Sequence, residues 1–60
     1  SPYPVGINVK LSNGEFATVI KDNIAQPLRP IVKVVGTQKI YDLYNDFSKL
    51  SIIISGLANI

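Results

Sequence analysis

The sequence predicts an all-β fold, a small antiparallel barrel of four to five short strands. An Asn13-Gly14 pair lies between two stretches in which apolar and polar residues alternate, and this is the pattern of a tight β-hairpin. Further runs rich in Ile and Val are short and are bounded by glycine, proline or serine. Short strands joined by tight turns predict a sheet that curls into a barrel of the SH3-like type.

The first hairpin is predicted from its turn. Asn-Gly suits the two positive-φ positions of a two-residue type I′ turn, which sets Ser12 opposite Glu15. Side chains alternate between the faces of a strand, so the pairs that follow are predicted to share the core face: Leu11 with Phe16, Val9 with Thr18, and Ile7 with Ile20. The outer face then pairs Lys10 with Ala17 and Asn8 with Val19.

The segments on either side of this hairpin are predicted to be extended or irregular. Pro2 and Pro4 keep the residues before them extended and exclude a helix there. The stretch from Asp22 to Pro30 is a predicted loop, because Asn23 and two prolines interrupt it.

A second hairpin is predicted after this loop. Ile31 to Val35 forms a third strand, and a turn at Gly36-Thr37 leads into a fourth strand at about Lys39 to Leu43. This arrangement places Val34 near Ile40.

The last part of the chain is predicted to contain a turn and a fifth strand. Asn45, Asp46 and Ser48 favour a turn or a single helical turn within residues 44–50. Ser51 to Ser55 contains three consecutive Ile residues and is predicted to be a buried strand. The alternative, a C-terminal helix, is disfavoured by β-branching and by Gly56.

Composition excludes most catalytic chemistry. The 60 residues include no Cys and no His, so the chain offers no thiolate nucleophile, imidazole base or disulfide. Its acids, Glu15, Asp22, Asp42 and Asp46, are scattered rather than clustered. Asp42 and Asp46 could approach one another as a carboxylate pair, but solvation at a turn or strand end is the favoured interpretation. The sequence therefore predicts no catalytic residue, no cofactor and no metal site.

Length and charge predict a single small domain and give little indication of a nucleic-acid or membrane partner. Residues 1–60 fit a single domain, and a start at Ser1 rather than Met fits a fragment excised from a larger protein. The net charge of +2 is the difference between six basic and four acidic residues. The basic residues are dispersed along the chain, and this does not favour a nucleic-acid interface. The sequence contains no apolar stretch of membrane-spanning length and no signal peptide, so no membrane partner is predicted.

Three segments of the chain resemble a known family. Tyr3-Pro4-Val5-Gly6, Val9 to Glu15, and Pro27 to Val32 are similar, in order and spacing, to the C-terminal tail of HD-GYP proteins, which are bacterial phosphodiesterases of cyclic di-GMP. Ile40 to Leu43 resembles a later element of that tail. The resemblance implies a bacterial, cytoplasmic parent protein whose upstream helical domain catalyses hydrolysis and is the partner of this module.

The resemblance transfers no active-site residue. The metal-ligating His residues of that family have no counterpart here, and Pro2 precedes Tyr3-Pro4 where the signature motif has Gly. The implied function is therefore that of a non-catalytic accessory domain, which packs on the catalytic domain or mediates assembly.

Arg29 is the candidate contact residue. It lies between Leu28 and Pro30, and a planar guanidinium in a proline-flanked loop suits bidentate binding of a carboxylate or phosphate. We predict that Arg29 docks the module onto an acidic group of the preceding domain. The alternative is that Arg29 is a solvent-exposed loop residue that makes no specific contact.

A second class of function stays open, that of a free-standing barrel that binds nucleic acid or a peptide. This function is supported by the aromatic residues, because aromatic side chains stack on bases in some small barrels. The alternative is that these residues pack in the core or in an interface. The apolar stretch from Ile52 to Ile60 favours the accessory domain, with self-association as a further possibility, because an exposed apolar patch usually needs a partner. The aromatic residues are Tyr3, Phe16, Tyr41, Tyr44 and Phe47.

Overall fold

Five strands form one antiparallel sheet in the computed structural model, which describes residues 2–59. The strands are β1 (Asn8–Leu11), β2 (Phe16–Lys21), β3 (Ile31–Val34), β4 (Ile40–Asp42) and β5 (Ile54–Leu57), and a 3₁₀ helix (Phe47–Lys49) precedes β5. The order across the sheet is β4-β3-β2-β1-β5. The predicted all-β class is confirmed, and the sheet is open, with β4 and β5 at its two edges.

The turn between β1 and β2 differs from the predicted type I′ turn. The Leu11 amide donates to the Glu15 carbonyl at 2.8 Å, which leaves a three-residue loop, residues 12–14. Only Gly14 in this loop has a positive φ, +93°, whereas a type I′ turn needs positive φ at both central residues. The Asn13 side chain instead accepts a hydrogen bond from the Glu15 amide at 3.0 Å, which stabilises the longer loop.

The extra loop residue shifts the register of β2 by one position. Val9 lies opposite Ala17 rather than Thr18, and Lys10 lies opposite Phe16. Because side chains alternate along a strand, a shift of one residue exchanges the two faces. The predicted core positions of β2 are therefore wrong: Ala17 and Val19 are 0% and 1% exposed, Phe16 and Ile20 are each 40% exposed, and Thr18 is half-buried.

The second hairpin forms where it was predicted. The Val34 amide donates to the Lys39 carbonyl at 2.9 Å, and Ile40 lies opposite Lys33. Ile40 consequently points to the outer face and is exposed.

The fifth strand begins three residues later than predicted. The predicted helical turn is the 3₁₀ helix, in which the Asp46 carboxylate accepts from the Ser48 amide at 3.1 Å. A further hydrogen bond, from the Ile52 amide to the Lys49 carbonyl, prolongs this turn structure and delays β5. Gly56, which we expected to follow the strand, lies within it.

The core lies on one face of the sheet. Cross-strand pairing aligns Val9, Ala17 and Val34 in one row and Val19, Val32 and Tyr41 in another. Loop residues cover this face and complete the core. Its buried hydrophobic members are Val9, Leu11, Ala17, Val19, Val32, Val34, Tyr41 and Leu43, and Tyr3, Ile7, Ile52 and Ile54 pack against them.

Candidate docking site

Arg29 is held in place by an ordered loop between β2 and β3. The Asn23 side chain accepts hydrogen bonds from the amides of Ala25 and Gln26 at 3.1 and 3.2 Å. Its own amide group donates to the Arg29 carbonyl at 3.3 Å. The next residue, Pro30, is buried and leads directly into β3, so the backbone on both sides of Arg29 is fixed.

The Arg29 guanidinium binds backbone carbonyls of the connection between β4 and β5. Its Nε donates to the Leu43 carbonyl, and its Nη2 donates to the carbonyls of Lys49 and Ile52 at 3.1 and 2.9 Å. A longer contact of 3.4 Å reaches the Leu50 carbonyl. Arg29 therefore ties two loops together across the end of the sheet, an internal role that its sequence context did not reveal.

One nitrogen of the guanidinium, Nη1, makes no hydrogen bond to the described residues. The hydrogen bonds that Arg29 makes within residues 2–59 use Nε and Nη2, and none of them uses Nη1. The side chain is half-buried rather than enclosed. The contact with an acidic group stays a prediction, and the same guanidinium is already engaged in the fold.

An apolar groove of about 310 Å³ adjoins this guanidinium. We call it the Arg29 groove; it is lined by Tyr3, Gln26, Leu28, Arg29, Ile53 and Ile54. Leu28 and Ile53 are each more than half exposed. The groove combines apolar walls with one fixed cation, an arrangement that suits an apolar partner surface carrying a single acidic group.

A second polar cluster joins β4 to the first hairpin loop. The Tyr41 hydroxyl donates to Glu15 Oε1 at 2.7 Å, and the Asn13 side-chain amide donates to the same oxygen at 2.7 Å. The Lys49 ammonium lies 4.7 Å from the centre of the Tyr41 ring, within range of a cation–π interaction. This cluster was not predicted, because Glu15 and Tyr41 are 26 residues apart in the sequence.

Hydrogen bonding shifts the pKa values of this cluster. The Tyr41 hydroxyl, and after it Asn13, lowers the pKa of Glu15 by stabilising the carboxylate. Acceptance of that hydrogen bond by Glu15 raises the pKa of Tyr41. Both groups are thereby held in the charge state they already have at neutral pH, which suits a structural contact rather than proton transfer.

The remaining shifted acid is also engaged in local structure. The Asn45 backbone amide and then its side chain lower the pKa of Asp42, whose Oδ1 accepts from that amide at 2.9 Å. Among residues 2–59, no three His, Cys, Asp or Glu side chains lie close enough to hold a metal ion. The same residues contain no helix that is long and apolar enough to cross a membrane.

The family of the chain follows from a comparison with protein-family models. The model described as a KOW domain associated with HD domain matches residues 8–53, which include β1 to β4 and the 3₁₀ helix. The chain belongs to this family. No match is found among the curated proteins or the solved structures. The predicted relationship to the C-terminal domain of HD-domain proteins is confirmed, and this KOW domain is an accessory domain of an HD-domain protein.

The aromatic residues of this KOW domain are divided among several locations. Tyr3 lines the Arg29 groove, Tyr41 lies in the core, and Phe16 is on the outer face of the sheet with the Lys10 ammonium 6.0 Å from its ring centre. Phe47 belongs to the 3₁₀ helix and Tyr44 to the connection before it. This distribution favours packing and local contacts over a single stacking platform.

Proposed function

We propose that this KOW domain is a non-catalytic accessory domain at the C-terminus of an HD-GYP-type cyclic di-GMP phosphodiesterase. Family membership supports the association with an HD domain, and the resemblance of Tyr3 to Gly6 and Pro27 to Val32 to the HD-GYP tail supports the finer assignment. The same resemblance supports a bacterial, cytoplasmic parent. Hydrolysis would be the task of the upstream helical domain.

The domain docks on that helical domain through the Arg29 groove. The observation that carries this proposal is a guanidinium fixed by backbone carbonyls beside exposed apolar side chains, those of Leu28 and Ile53. Because Arg29 is already ordered, its binding to a carboxylate loses little side-chain entropy. The complementary surface is a helix face with apolar residues and one Asp or Glu.

The parent protein is tested by isolating the native gene product that contains this segment. Its intact mass and N-terminal sequence are measured first, and cyclic di-GMP hydrolysis is then compared with and without residues 1–60. The proposal predicts a much longer chain with His-Asp and Gly-Tyr-Pro motifs upstream, and the truncated enzyme retains its hydrolytic chemistry. A native product no longer than this chain would contradict it.

The docking contact is tested with Arg29→Lys, which keeps the positive charge. The substitution weakens the internal hydrogen bonds in any setting, so its effect on the melting temperature is measured both in the isolated domain and in the parent protein. Docking predicts a loss of KOW-domain stability in the parent that exceeds the loss in isolation. Equal losses would mean that Arg29 serves only the internal fold.

A nucleic-acid-binding barrel is the second candidate, and the outer face of the sheet supports it. Lys10 lies opposite Phe16, and Lys33 lies opposite Thr18 on the same face. Affinity for a single strand that falls steeply with added salt would favour this candidate. An affinity that is absent at low salt would exclude it.

A further inference from the structure

We propose that β5 pairs with β5 of a second copy of this chain, so that two sheets join edge to edge. β5 has a strand neighbour on one side, where it pairs antiparallel with β1, and it ends the sheet on the other side. An edge strand presents unpaired amide and carbonyl groups, which are a template for another strand. The inference concerns this chain alone and does not depend on the identity of the parent.

The β5 edge lacks the charged residues that protect most sheet edges. The chain contains no Lys, Arg, Asp or Glu after Lys49. At the opposite edge, β4 is only three residues long, with Lys39 immediately before it and Asp42 as its last residue. Charge is a common device against edge pairing. The β4 edge therefore has charged residues that oppose pairing, and β5, which is itself four residues long, has none.

The backbone of β5 has hydrogen-bonding groups that point away from β1. The Ala58 amide donates to the Asn8 carbonyl at 3.0 Å, and Gly56 lies opposite Lys10. Bonding in an antiparallel pair alternates along the strand, so the intervening residue, Leu57, directs its N–H and C=O outward. These groups are available to a strand on the open side.

A row of core side chains runs to this edge and ends in an exposed leucine. Cross-strand pairing aligns Val34, Ala17, Val9 and Leu57. Val9 is 0% exposed, whereas Leu57 beside it is 64% exposed. A strand added beyond β5 covers Leu57 and extends the apolar row by one position.

A second copy fits this edge because the segment can pair with itself. Antiparallel pairing about a two-fold axis is isologous, so each copy presents the same uncharged residues to the other. A charged edge would place like charges opposite each other, which is destabilising. Three features therefore favour a symmetric dimer through β5: its open edge, its lack of charged residues, and the exposed Leu57 at the end of the apolar row.

Sedimentation of the purified chain across a concentration series tests the dimer. The wild type is expected to shift from monomer to dimer with increasing concentration. Leu57→Lys places a charge on each side of the interface and is expected to raise the dissociation constant by at least about tenfold, the factor that corresponds to about 1.4 kcal/mol. The control is Ile40→Lys, which introduces the same charge at an exposed residue of the β4 edge. It is expected to leave the dissociation constant of the dimer unchanged.

The circular dichroism of both variants shows whether the monomer still folds. Amide exchange of wild-type Leu57 gives a second readout, and it slows with increasing concentration if β5 pairs. A wild type that stays monomeric at every concentration overturns the inference. A dimer that survives Leu57→Lys, or that Ile40→Lys disrupts equally, places the interface elsewhere and also overturns it.

Discussion

Arg29 stabilises the fold by joining two loops of the chain. Its guanidinium satisfies carbonyls from Leu43, Lys49 and Ile52, which come from an irregular connection with few backbone partners. Its sequence context, between Leu28 and Pro30, indicated a loop but not these acceptors, because they lie 14 to 23 residues away in the sequence. The docking that we propose would use Nη1, which makes none of these hydrogen bonds.

Arg29→Lys is expected to destabilise the isolated domain by about 2 kcal/mol, the range of a hydrogen bond to a charged group. A lysine ammonium cannot span the separate carbonyls that the planar guanidinium joins. The free energy of unfolding in urea gives the measurement. A loss below about 0.5 kcal/mol, typical of an ordinary surface substitution, would contradict the internal role.

Glu15 is expected to make stability depend on pH in the acid range. Its pKa is lowered in the folded state from the ordinary 4.5, first by the Tyr41 hydroxyl. The stability that ionised Glu15 contributes to the fold is therefore fully present above pH 4.5. It is lost as the pH falls through the pKa of Glu15 in the folded state. Urea unfolding of the wild type is compared with Glu15→Gln across this range.

The pH dependence due to Glu15 has to be distinguished from that due to other acids. Asp42 also has a lowered pKa, so some acid dependence remains in every variant. Tyr41→Phe removes the first cause of the Glu15 shift and is expected to reduce the dependence in the same direction as Glu15→Gln. Identical pH profiles for the wild type and Glu15→Gln would show that the hydrogen bond contributes nothing.

At the scale of elements, the β1–β2 loop decides which side chains form the core. The sequence located this hairpin and both of its strands, because Asn-Gly and alternating hydrophobicity are local signals. It did not give the register, since two-residue and three-residue loops are both compatible with Asn13-Gly14. Because Phe16 and Ala17 are both apolar, the hydrophobic pattern of β2 could not show which alternate side chains face the core.

Gly14→Ala is expected to destabilise the domain by about 1–2 kcal/mol, because an L-residue is strained in a left-handed conformation. Gly14 has a φ of +93° and no atom within 4 Å of an added Cβ, so the cost comes from the backbone rather than from a clash. Thermal or urea unfolding measures the change.

Gly56→Ala is the matched control for this backbone effect. Gly56 also has open space around an added Cβ, but its φ is not in the left-handed region. Because glycine weakens a strand interior relative to alanine, this substitution is expected to stabilise the domain by about 0.5–1 kcal/mol. Equal destabilisation by the two substitutions would refute the role assigned to the Gly14 conformation.

The fifth strand shows a different limit of local sequence signals. Three consecutive Ile residues predicted β5 at Ser51 to Ser55, yet the strand begins at Ile54. The Arg29 contacts with the Lys49 and Ile52 carbonyls keep the preceding residues in a turn. A tertiary interaction thus moved the boundary of an element that was correctly predicted to exist.

At the scale of the whole molecule, the small core leaves much apolar surface uncovered. Leu28, Ile53 and Leu57 are each more than half exposed, and they lie at the Arg29 groove and the β5 edge. The free energy of unfolding of a 60-residue domain without cysteines is expected to be small. Contacts with the HD domain, and with a second copy, would both add to its stability by covering this surface.

The family and the all-β class could be predicted from the sequence, because both depend on ordered local motifs. The candidate site could be predicted only as a single residue, Arg29. Its groove requires Tyr3, Leu28 and Ile53 to meet, and no local pattern relates the N-terminus, the β2–β3 loop and the start of β5. Only the sheet order, with β5 returning beside β1, brings them together.

Amide hydrogen exchange in the full-length HD-domain protein tests the docking proposal most directly. The exchange rates of residues 26–29 and 52–54 are compared between the isolated KOW domain and the full-length chain, with residues 37–39 at the opposite hairpin as an internal control. Docking through the Arg29 groove predicts slower exchange in both groove segments of the full-length chain and no change in the control segment. Equal rates in all three segments would contradict it.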